Sequence, residues 1–147
     1  MKNILLLAGG LLLTLLFLIM SATAFEGMYY EREFSNEMYN QGLYLPASFL
    51  VTGMAWGAAA VYYYLINSVN FSRWFHWLIM LVATAALSTV CVHTYTASAL
   101  ADEGLSFGHQ LTTFSGVCAV TNTIFFIIAS FSLRWWSTNC RHTPIPE

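Results

Sequence analysis

Apolar residues gather into four long runs, 4–24, 44–66, 75–97 and 110–133, and none of the four contains Asp, Glu, Lys or Arg. A helix needs roughly 20 residues to cross a hydrocarbon core of about 30 Å. A membrane strand needs about 10 residues of alternating character. These runs have the length of helices and show no period of two. With no water in a bilayer core, the backbone must bond to itself, which a helix does within one segment. The pattern therefore predicts an all-α integral membrane protein with four transmembrane helices in one domain, 1–147. Its outer loops are 25–43 and 98–109, its inner loop is 67–74, and its tail is 134–147. The short inner loop makes the second and third helices antiparallel neighbours, and an up-down bundle follows.

Charge then orients the bundle. Lys2, Arg73, Arg134 and Arg141 fall on one side; Glu26, Glu31, Glu33, Glu37, Asp102 and Glu103 fall on the other, joined only by Arg32. Basic loops stay in the cytoplasm. Both termini are thus expected inside, and the brevity of the loops suits a bacterial inner (plasma) membrane. Trp74, Trp77, Trp135, Trp136 and the run Tyr62–Tyr64 would form the inner aromatic belt. The first run could also serve as a secretory signal, but its apolar stretch exceeds the usual core of about 7–15 residues, so it is expected to stay as a span.

The 25–43 connection interleaves Met28, Tyr29, Arg32, Glu33 and Asn36 in a way that extends the first helix outward, before Gly42 and Pro46 mark the return. "GLYLPASFLVTGMA" from Gly42 echoes "GLSFGHQLTTFSGVCA" from Gly104, a similarity ascribed to chance between apolar segments.

Composition narrows the function classes. The chain is 58% hydrophobic and only 8% charged, with net charge -2, so it has no basic field for nucleic acid. Cys91 and Cys118 sit in apolar runs and Cys140 in the tail, which gives neither a disulfide framework nor a C-x-x-C motif. No catalytic, metal or cofactor signature is present.

Lipid tails give apolar helices no hydrophobic reason to associate, so close packing and interhelical hydrogen bonds must hold them. Gly53 and Gly57, with Ala60, offer a small-residue face on the second helix; Ser115 and Ala119, near Gly116, offer one on the fourth. Asn122 lies near mid-span, where its amide must find a partner on another helix. On the third helix Thr84, Ser88, Cys91, Tyr95 and Ser98 share a stripe, with Thr89, His93 and Thr96 beside it. His109 heads the fourth helix. Cys91, His93 and His109 therefore form the candidate ligand or pore cluster, against the plainer reading of His93 as a neutral histidine bonded to Thr89, a backbone carbonyl or water.

The expected function is that of a small non-catalytic subunit in a homo-oligomeric or larger membrane complex. Its partners would be the lipid bilayer, other membrane subunits or itself, and a basic protein at the acidic outer loop of Glu26, Glu31, Glu33 and Glu37. The alternatives are a pore lined by the third and fourth helices and a haem or metal redox protein using His93 and His109.

Overall fold

The computed structural model describes residues 2–145, the Lys2 side chain excepted. The expected roles of the Lys2 charge and of tail residues 146 and 147 lie outside the described residues. The elements are α1 (Lys2–Ile19), α2 (Ser21–Met28), α3 (Arg32–Asn40), α4 (Tyr44–Ala60), α5 (Trp74–Asp102) and α6 (Gly108–Leu133). A π-helical turn, Val61–Ile66, prolongs α4, and 3-10 turns occupy Val69–Phe71 and Arg134–Trp136. No strand occurs among the described residues.

Three helical stretches, Tyr44–Ile66, Trp74–Asp102 and Gly108–Trp136, are long and apolar enough to cross a membrane. A bent pair, Asn3–Ile19 with Ser21–Met28, is a fourth if counted as one. The expected single run 4–24 is thus corrected: the helix breaks at Met20 and turns by 83°. The turn lets Ser21 and Phe25 face inward, and Phe25 folds back against Phe17 at a ring separation of 5.4 Å. Burying an aromatic ring among others outweighs a few backbone bonds at a break where the amide of Ala24 still bonds the carbonyl of Met20.

The 25–43 segment is also more ordered than a loop. The Glu31 carboxylate accepts the Phe34 amide at 2.9 Å, while Ser35 Oγ accepts the Glu31 amide at 3.1 Å, a reciprocal cap that starts α3. Phe34 and Met38, one turn apart, then pack inward.

Both Gly-Leu pairs of the sequence echo end helices in the same way. Gly42 and Gly104 take positive φ, 63° and 73°. Leu43 donates to Met38 O and Gly42 to Tyr39 O; Leu105 donates to Leu100 O and Gly104 to Ala101 O. These are two Schellman caps, each placing a leucine back on the residue it bonds. The Gly-Leu pair that opens each half of the echo is thus a shared helix stop signal.

Packing directions follow from cross-helix bonds. His93 meets Ser115 and Trp77 meets Ser130, so α5 and α6 are antiparallel. Asn122 meets the Val51 carbonyl and Tyr64 meets that of Leu133, so α4 and α6 run the same way. Helix α1 lies against both, bonding Trp56 through Thr14 and meeting Ser132 at Gly10. Around the acidic end, Phe25, Phe34, Tyr44, Phe107 and Phe114 form a ring cluster.

Candidate functional site

The candidate cluster on α5 is divided by the fold. The buried line of α5 is Thr84, Ser88, Val92, Thr96 and Leu100. It repeats every four residues rather than passing through Cys91, Tyr95 and Ser98, and Tyr95 and Ser98 face outward. Four residues turn an α-helix by about 400°, so this line winds slowly around α5 instead of keeping to one side. Most of the hydroxyls in this line are already engaged. Thr84 and Thr96 donate to the carbonyls of Met80 and Val92, four residues back, which lets polar side chains sit in an apolar interior at little cost.

His93 is half-buried and reaches across to α6, its Nδ1 lying 3.0 Å from Ser115 Oγ. Thr89, one of the three expected partners beside a backbone carbonyl and water, instead donates to Ala85 O at 2.7 Å. His93 also lines a half-open pocket of about 260 Å³ together with Leu100, Leu105, Ser106, Phe107 and Leu111. His109 is exposed at the head of α6 and does not line that cavity; Cys91, half-buried, lies two residues before His93 and so on the opposite side of α5. The three expected ligands are thus not brought together, and no group of three or more His, Cys, Asp or Glu suited to a metal occurs among the described residues.

Of the expected packing residues, Ser115 and Asn122 are buried and Ala119 is half-buried. Asn122 is fully buried; its amide donates to Val51 O at 2.8 Å, while its Oδ1 has no partner. Gly53, Gly57 and Gly116 are exposed, and a Cβ on any of them would meet nothing within 4 Å. The close approach falls at Gly10, where an added Cβ would collide with the Ser132 hydroxyl. The signal was Gly10 with Thr14, a small-xxx-small pair in a run that otherwise reads as leucine.

At the acidic end Glu33 is exposed, Glu26 and Glu37 are half-exposed, and Glu31 is engaged as the α3 cap. At the opposite end the tail folds back, which sequence reasoning missed. Asn67 Oδ1 accepts from Ser137 Oγ and the Asn139 amide, its Nδ2 donates to Thr138, and its carbonyl accepts from Asn139 Nδ2. The i→i+5 spacing of the π turn turns both Tyr62 and Tyr63 inward. Tyr62 donates to Phe71 O and Tyr63 to Thr143 O, so two of the expected belt tyrosines are buried struts. Cys140 is buried beside them, and burial pushes its thiol up from the ordinary value. Arg134 is buried too: its Nε and Nη1 lack hydrogen-bond partners, and its guanidinium stacks over Trp135 at 4.3 Å. There it complements the C-terminal dipole of α6.

Compared with protein-family models, curated proteins and solved structures, the chain matches none.

Proposed function

We propose that this chain is a four-pass integral membrane protein with both termini cytoplasmic, acting as a non-catalytic assembly subunit in a bacterial inner membrane. One observation carries the membrane reading: large apolar side chains lie outside while hydroxyls and an amide lie inside. Leu5, Leu12, Ile19, Ile79, Val82 and Val120 are all more than half exposed, whereas Ser48, Ser88, Thr96, Asn122 and Ser130 are completely buried. In water such an exterior would far exceed the apolar patch a monomer tolerates. In lipid it is the favoured face. Helix α1, about 27 Å long, suffices to span, with α2 turning along the interface. Its bonds and ring contacts with α4 and α6 support its retention as part of the bundle.

The described charges segregate to opposite ends of the helices, Arg73, Arg134 and Arg141 at one and six acidic residues with Arg32 at the other, which supports the inside placement of the basic end. The subunit reading draws on the open small-residue face at Gly53 and Gly57, where another helix could approach. Glu26, Glu33 and Glu37 remain available to a basic partner outside. Purification in mild detergent followed by native mass spectrometry tests it. A homo-oligomer or a stoichiometric membrane partner is expected; a lone monomer from native membranes would refute the subunit role.

A further inference from the structure

We propose that the cavity beside His93 is a binding site for a small hydroxyaromatic molecule, a phenol or hydroquinone ring whose hydroxyl donates to His93 Nε2. The argument begins with one hydrogen. Ser115 Oγ lies 2.7 Å from Leu111 O and 3.0 Å from His93 Nδ1. A serine has a single hydroxyl hydrogen. Were it aimed at the imidazole, two oxygen lone pairs would face each other at 2.7 Å, so the hydrogen lies on the Leu111 carbonyl. Ser115 Oγ is then an acceptor only, and Nδ1 of the neutral ring must carry the proton and donate.

Nε2 is left as the lone-pair nitrogen, and it has no hydrogen-bond partner among the described residues. A fixed Nδ1–H donor with a free Nε2 is the arrangement that prepares an imidazole to accept from a ligand. Besides His93 the wall carries one further polar side chain, Ser106, which is exposed, so the site asks for a largely apolar ligand with a donor group for the imidazole. Leu100, Leu105, Phe107 and Leu111 supply apolar surface, and Ala97 and Gly108 leave room. About 260 Å³ exceeds the roughly 150 Å³ that suffices for benzene in an apolar protein cavity, so a substituted single ring fits. An apolar ring bearing a hydroxyl matches both demands, and such molecules partition into lipid. The site does not depend on the subunit role proposed above.

The test uses the full chain in lipid nanodiscs with ¹⁵N-histidine labelling, titrated with 4-ethylphenol and, separately, with ethylbenzene. Before ligand, His93 should show a protonated Nδ1 and an unprotonated Nε2. On adding 4-ethylphenol, only the His93 Nε2 resonance among the four histidines should move. Ethylbenzene should bind about three- to tenfold more weakly, the value of one hydrogen bond. Ala97→Leu should abolish binding by filling the cavity, and His93→Phe should erase the preference between the two probes. A proton on Nε2 in the free protein, equal affinity for the two probes in the unaltered chain, or no perturbation of His93 would overturn the proposal. The probe pair needs no variant, so misfolding of either substitution leaves the test intact.

Discussion

Adjacent glycines in α1 should respond in opposite ways to the same substitution. A Cβ at Gly9 meets nothing within 4 Å, whereas one at Gly10 collides with Ser132 Oγ and lies 3.3 Å from Ile128 Cγ2. Alanine gains about 1 kcal/mol over glycine within a helix, so Gly9→Ala should be neutral to stabilising by about that amount. At Gly10 the same gain is opposed twice. Ser132 must rotate away from Leu6 O and Ile128 O, bonds of 3.3 and 2.8 Å, losing an interhelical bond worth roughly 0.6 kcal/mol. If the helices cannot separate, overpacking adds about 1–3 kcal/mol. Gly10→Ala should therefore be destabilising, and the two variants should differ by about 2–3 kcal/mol. SDS unfolding from dodecyl maltoside measures this. Trp fluorescence is a suitable signal, because the Trp56 indole donates to Thr14 on α1 at 2.9 Å and loses that partner when α1 departs. Equal shifts for the two alanines would refute the placement of α1 against α6.

Other residues give independent checks. Asn122→Leu should cost under about 1 kcal/mol by the same unfolding assay, because it removes an unpartnered Oδ1 along with the bond to Val51 O; Asn122→Asp, which buries a carboxylate beside a carbonyl, should cost about 3 kcal/mol or more. Asn67→Gly keeps the positive φ but deletes three side-chain bonds to the tail, so maleimide labelling of Cys140, in a background lacking Cys91 and Cys118, should accelerate about tenfold or more; an unchanged rate would refute the folded-back tail. The Cys140 thiol is raised above 9.0 by burial, so the folded tail holds that proton to higher pH than the unfolded one. Its stabilising effect is complete below pH 9.0 and lost as pH rises through the folded value, giving an alkaline loosening of the tail that Cys140→Ala abolishes.

Much of the fold was legible because long uncharged runs leave one structural option. The second run coincides with the stretch Tyr44–Ile66, and the other two full-length helices exceed their runs at the ends, where Ser98, Asp102, His109 and Arg134 interrupt the apolar pattern without ending the helix. The break at Met20 was not legible, since its cause is the position of Phe17, Phe114 and Tyr44 in space and not any local breaker. The tail cap was hidden for a related reason: Asn67 and Ser137 are ordinary loop residues until α4 and α6, running the same way, bring their C-terminal ends together. Small residues were the least decodable, because Gly10 and Gly53 look alike in sequence and only the neighbouring backbone separates a close contact from an open face. The pairing of His93 with Ser115 was not legible, because it joins residues of different helices that the sequence offers separately as a polar candidate and a packing position, and His109 stays exposed.

The central claim is that the exposed apolar surface faces lipid, with the arginine-bearing end in the cytoplasm. Single cysteines at Glu103 and Thr138, in a chain otherwise free of cysteine, can be challenged on intact cells with a membrane-impermeant maleimide. Glu103→Cys should label at once and Thr138→Cys only after permeabilisation; the reverse pattern, or equal labelling of both in intact cells, would contradict the account.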